Sequence, residues 1–434
     1  MSSTSTPRAT ATGAGLLTAL VLVPLSMGVV RLTQPTNATP APTLWQQAAQ
    51  RAAELEDEIA SADYRRTPLR QLLEQGTPRK LLGSQVADSA LPGYRAAANA
   101  VDDAAAGQIW MRLMQADTQA GGPLDPAEHR DLQRRTRDRF LFELEAPLAL
   151  LRDAAAAGTA HPAYTQGAET LDLRSMRWLA NAGTLTSALA AEAGEPREAI
   201  LVLLDLLQVA EDGLHQPRAL DVLIGSTLVE TTLQGSLLDP ELSGHLHPAG
   251  LNALDIALAR VDQALGRAHA FSPQDFVELV RGLQANGMGA DHRGSLFDDS
   301  NLTQSLEYYA ELEDWFQEHG GASLQALMAL EGADAPFEPF DATSSGVIMQ
   351  KALTTARAQV RLARVVIGYR LNDRIPLLPT PTTGRLIILD GDTLTEDDVE
   401  TWRVTPEAAR GRWLVRYPTH DGTPNAGYRT LFAK

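Results

Sequence analysis

Asp291, His292, Asp298 and Asp299 lie close together in the run Gly287-Met288-Gly289-Ala290-Asp291-His292-Arg293-Gly294-Ser295-Leu296-Phe297-Asp298-Asp299-Ser300. Carboxylates and an imidazole gathered in a glycine-containing loop can act as an acid–base pair or bind a cation. These four residues are therefore the catalytic candidates, and they define an alternative reading of the chain as an envelope hydrolase. The run has no helical or strand period, so nothing local sets the mutual geometry that such chemistry requires.

Three further constellations bear on chemistry. His245-Leu246-His247 places two imidazoles on one side only if the segment is extended, and no third ligand lies nearby. A loop leading into a helix accounts for the same residues. Asp390-Gly391-Asp392-Thr393-Leu394-Thr395-Glu396 begins like a calcium loop, but Leu394, Thr395 and Thr401 stand where an oxygen ligand, glycine and glutamate are needed. Arg357, Arg361 and Arg364 share one helix face and could grip a phosphate or an acidic partner. The same spacing serves an internally paired face. The chain has no cysteine, which excludes disulfides, thiolate metal sites and cysteine nucleophiles. We expect no metal and no cofactor.

The elements that would position these residues are mainly helical. The chain of 434 residues is only 5% aromatic, so its core rests on Leu, Ala, Val and Ile, a composition suited to helices packed on helices. Asp125-Pro126-Ala127-Glu128 and Ser272-Pro273-Gln274-Asp275 carry a capping side chain, a proline at the first turn and an acid behind it. Asp239-Pro240 and Thr405-Pro406 repeat the cap–proline pair.

Periodicity predicts helices over 44–62, 97–115 and 126–157, the last kinked or split at Pro147. A central block runs from Leu171 to Arg267 with breaks at Gly194-Glu195-Pro196 and between Gly213 and Pro217. Within it, Ala199–Leu207 is apolar on nearly all sides, interrupted by Asp205, as expected of a central helix. Arg197 and Glu211, near the ends of this segment, are expected to meet solvent. Further helices are expected over 273–284, 302–318, 324–330 and 347–371. Strands are expected at 385–389 and 412–417, with a small helix after Thr395 or Thr405.

Ala9–Val30 is uncharged, lies between Arg8 and Arg31, and has the apolar centre Leu16–Leu25. Its length matches the roughly 20 apolar residues that a membrane-crossing helix needs. Thr39-Pro40-Ala41 would suit a signal-peptide cut, but Pro42 comes next, so an uncleaved anchor is expected. The Thr/Pro-rich stretch behind it reads as a semi-rigid linker. Lysines and arginines number 37 against 54 aspartates and glutamates, a formal charge of -17. That balance argues against nucleic acid as a partner. One arginine flanks each side of the anchor, so the positive-inside count is tied. A large acidic body after a single apolar segment is normally translocated, which places it in the periplasm.

The chain divides into four regions: a signal anchor over 1–32, a linker over 33–43, a helical extracytoplasmic body over 44–375, and a mixed tail over 376–434. The expected fold is mainly α, an antiparallel helical bundle or hairpin stack with one transmembrane helix and a small α+β appendage.

Ala191-Glu192-Ala193-Gly194-Glu195-Pro196-Arg197-Glu198-Ala199-Ile200, Leu203–Leu207, Ala358–Arg364 and Gly368-Tyr369-Arg370-Leu371 together resemble a loose group of uncharacterised bacterial membrane-anchored helical proteins. In that group the tail often reads Tyr-Arg-x-x-x-Gly-x-x-Pro. Here Arg374 stands in place of the glycine and Pro376 comes one residue early. The resemblance implies an anchored helical body and no particular activity. The expected role is assembly, scaffolding or recognition of other envelope proteins at the inner membrane.

Overall fold

A computed structural model describes residues 42–63, 65–74, 89–118, 126–158, 160, 171–236, 246–268 and 273–285. It also describes helical positions between 349 and 371 and four strands between 388 and 433. The segment Ala9–Val30, the linker before Pro42, His245, the Asp291–Asp299 loop and the helices expected at 302–318 and 324–330 lie outside the described residues. The described part is mostly helical. No helix among the described residues is long and apolar enough to cross a membrane.

In chain order the helices are α1 (Pro42–Ser61), α2 (Gln71–Glu74), α3 (Leu91–Asn99), α4 (Asp103–Thr118) and α5 (Pro126–Ala155). They continue as α6 (Leu173–Glu192), α7 (Pro196–Leu214), α8 (Ala219–Gln234), α9 (Pro248–Arg267) and α10 (Pro273–Ala285). The helical positions between 349 and 371 are called α11.

Two boundaries differ from the sequence expectation. The helix expected over 97–115 is two helices, because Asp102 caps a new start by accepting a hydrogen bond from Ala105 N at 3.0 Å. That cap satisfies a backbone donor which a continuing helix would have satisfied internally. Conversely, α5 continues through Pro147, so of the kink or split expected there the split does not occur. Pro147 lies on the buried side with Leu144, Leu148 and Leu151, and packing on both sides of the proline holds the helix across it.

Helix α7 is the centre. It packs against α6, α8, α9 and α5, so a helix apolar on nearly every side finds an apolar neighbour on nearly every side. Leu203, Leu204 and Leu207 are completely buried there. The turn into α7 needs Gly194, whose φ of 77° lies in the left-handed region, and Pro196 opens the helix. At the crossing with α8, a Cβ on Gly225 would lie 2.7 Å from Ala210 O and 2.8 Å from Leu214 N. Only glycine lets the two backbones approach so closely.

On one flank, Trp110, Phe140 and Trp178 join α4, α5 and α6, with ring centroids 5.2 to 6.4 Å apart. Helix α10 packs on α1, where Arg281 Nε donates to Glu56 Oε1 at 2.9 Å. Helix α11 buries Met349, Leu353, Ala356, Val360, Ala363 and Ile367 in the main core, a spacing of alternating three and four residues that keeps one face inward.

Strands β1 (Ile388–Leu389), β2 (Arg403–Glu407), β3 (Arg412–Tyr417) and β4 (Arg429–Ala433) form a ladder in that order. β1 runs parallel to β2, and the other pairs are antiparallel, with Val404 opposite Val415 and Leu414 opposite Phe432. Thr405-Pro406, which the sequence presents as a helix start, lies within β2. Among the described residues β1 pairs with Arg403 and Val404, so Pro406, opposite Trp413 of β3, lies beyond the stretch of β2 that is paired on both sides. Prolines within sheets are found at such edge positions.

Candidate functional site

The densest polar cluster of the described residues lies where the sequence looks most apolar. Helix α7 carries Asp205, Gln208, Glu211 and Asp212, all at most 5% exposed. Positions 205, 208 and 212 recur with helical spacing, so they form one polar stripe on an otherwise apolar helix. Facing it is the irregular segment 65–70, between α1 and α2, together with arginines from α5 and α9.

Asp212 accepts from Tyr94 Oη at 2.5 Å and from Gln208 Nε2 at 2.9 Å, and Arg66 Nε approaches it to 2.7 Å. Arg66 also donates to the carbonyls of Ala155 and Ala157, at 3.1 and 2.5 Å. Gln208 turns its oxygen the other way and accepts from Leu69 N at 2.9 Å. Glu211 takes a two-pronged contact from Arg260, at 3.0 and 2.7 Å, while Arg260 Nη1 donates to Thr67 O at 2.8 Å. Nearer the start of α7, Asp205 faces Arg70 Nε at 3.2 Å and Arg152 Nε at 2.9 Å. Arg152 reaches Glu198 as well, at 2.8 Å.

Four arginines thus meet four carboxylates, and the seam carries no residual charge. Its chemistry is that of a lock. Charged groups taken out of water are tolerable only when paired and hydrogen-bonded, and here each carboxylate has a guanidinium partner. The seam fastens residues 65–70 across the central helix.

Burial sets the protonation behaviour. It pushes Asp205 and Asp212 up to about 6 from an ordinary 3.8, outweighing the attraction of Arg70 and Arg66. Burial, with Asp212 alongside, raises Tyr94 well above its ordinary range, so its hydroxyl keeps the proton it donates. Because both aspartates are raised in the folded state, their contribution to stability is fully present below about pH 4 and is lost as pH rises through about 6. Because asparagine does not titrate, the melting temperature of the native chain minus that of an Asp205→Asn/Asp212→Asn variant should be more positive near pH 5 than near pH 7.5. A difference that is constant, or less positive near pH 5, would contradict this assignment.

The residues singled out from sequence fare differently. Arg357 and Arg361 both pair with Asp262, at 2.9 and 3.0 Å, and Arg364 pairs with Asp255 at 2.9 Å. As the arginine numbers rise the aspartate numbers fall, so α11 runs antiparallel to α9. The grip of these arginines falls on the protein's own carboxylates. His247 caps α9, its Nδ1 accepting from Ala249 N at 3.3 Å, which is the helix-start role. Among the described residues, no cluster of three or more His, Asp or Glu is arranged to hold a metal. Asp291, His292, Asp298 and Asp299 fall outside the described residues.

Glu211 requires a correction. Its place near the end of α7 suggested solvent access, yet it is 5% exposed and held by Arg260. Helix α9 and segment 65–70 cover that end, and neither is adjacent in sequence. Arg197 is exposed, as expected. The period of Asp205, Gln208 and Asp212 inside an apolar helix was a legible signal of a buried polar seam. Its partners carried none, because each is one arginine among many. No family profile, curated protein or solved structure matches the chain.

Proposed function

We propose that this chain is a membrane-anchored, extracytoplasmic helical protein that serves assembly, scaffolding or partner recognition at the bacterial envelope. The observation that carries this reading is the uncharged segment Ala9–Val30 between two arginines, with a Thr/Pro-rich linker and a large acidic body behind it. An apolar segment of that length partitions into a bilayer, and a semi-rigid linker holds the acidic body at a distance from the surface. The acidic balance of the body favours translocation. The paired strands among residues 388–433 support a separate small α+β unit after residue 375 in this scheme.

The mature protein should retain residues before Thr43 and fractionate with membranes, and deletion of residues 1–43 should release it from them. An N-terminus at Ala41 or Pro42 in the purified protein would overturn the uncleaved anchor. Mass spectrometry of proteins co-purifying from solubilised membranes tests the recognition role. Hydrolytic turnover by the full chain, abolished by His292→Ala, would overturn that role in favour of an enzyme.

A further inference from the structure

Helix α5 has an unusual outer face. Its inner side buries Phe140, Leu144, Leu148 and Leu151. On the opposite side Leu132, Phe142 and Leu150 are 46%, 75% and 44% exposed. Arg135 and Arg139 stand between them, also exposed. Positions 132, 139, 143 and 150 are separated by seven, four and seven residues, so these exposed side chains fall on one stripe of the helix.

Charge is distributed unevenly along this face. The first half exposes Arg134, Arg135 and Arg139 against Asp138, with Asp131 half-buried and holding Arg134 and Arg135. The second half exposes Glu143 and Glu145, and its next basic residue, Arg152, is committed to Asp205 and Glu198. A face that is basic at one end and acidic at the other is complementary to itself when reversed.

We propose that two copies of this chain pair through α5 in an antiparallel, two-fold arrangement centred near residue 141. In that register Leu132 of each copy meets Leu150 of the other, Arg139 meets Glu143, and Phe142 lies beside the two-fold axis. Parallel pairing would set arginine against arginine, which like-charge repulsion disfavours. The chain as a whole carries -17, so two copies repel over most of their surfaces. This face brings opposite charges together, and an isologous contact closes after two subunits. The proposal concerns the folded body and stands apart from the membrane reading.

The absence of cysteine makes the test specific, since Phe142→Cys introduces a single thiol into the full chain. Mild oxidation of the purified full chain should give a covalent dimer. Its yield should be about tenfold above that from Ala53→Cys, an exposed control on α1. Adding Arg139→Glu should cut the dimer about tenfold, and the further change Glu143→Arg should restore it, because the swapped charges again face each other. Equal yields from the two thiols, adducts to other proteins in place of a dimer, or failure of the swap to restore pairing would overturn the proposal.

Discussion

Replacing Asp212 by Ala is expected to destabilise the folded chain by about 3–5 kcal/mol, the cost of leaving a buried charge without its partner. Arg66 is the group left behind. Its side chain is 9% exposed, and its other contacts are two carbonyls and the Tyr94 hydroxyl. Carbonyl dipoles cannot replace the full charge of a carboxylate. Tyr94 and Gln208 would each lose an acceptor as well, adding to the loss. The exposed pair Arg65–Asp63 is the control: solvent screens it, so Asp63→Ala should be close to silent.

Denaturant unfolding of Asp212→Ala, Arg66→Ala and the double variant would separate the pair from its surroundings. The double variant should cost clearly less than the sum of the singles, because each single strands the partner that the double removes. Strict additivity would mean that Arg66 and Asp212 act independently and that the seam is not a lock.

The second large effect lies on the apolar side of the same helix. Leu203→Ala and Leu207→Ala should each cost about 2–5 kcal/mol, since both side chains are completely buried and leave cavities that close neighbours cannot fill. Arg197→Ala, on the exposed first turn of α7, should stay within about 0.5 kcal/mol. Glu211→Ala belongs with the costly substitutions, because it would leave Arg260 without its carboxylate. If the two leucine variants lost no more than Arg197→Ala, the core would be centred elsewhere than on α7.

The sequence by itself determined the features that depend on neighbours in the chain. Helices α5 and α10 start at the prolines Pro126 and Pro273 of the two signals, the turn before α7 obeys Gly194 and Pro196, and the apolar run of Ala199–Leu207 marks the central helix. These are backbone and periodicity effects that operate within a few residues. The split between α3 and α4 was also written locally, in Asp102, but inside an alanine-rich run where helix propensity pointed the other way.

Tertiary structure alone decided which polar residues meet. Leu69 N and Gln208 are 139 positions apart, Arg70 and Asp205 135, and Arg260 and Glu211 49. A carboxylate on a helix records in its spacing which side it occupies, but nothing nearby records which arginine will cover it. Most of the chain's basic residues are arginines of the same type and charge, so residue type could not choose among them. The choice falls to packing: α7 must bury its apolar sides on α6, α8, α9 and α5, and that placement fixes which guanidinium groups come within reach of its polar stripe. The same long-range covering buried Glu211 and turned Arg357, Arg361 and Arg364 toward Asp262 and Asp255.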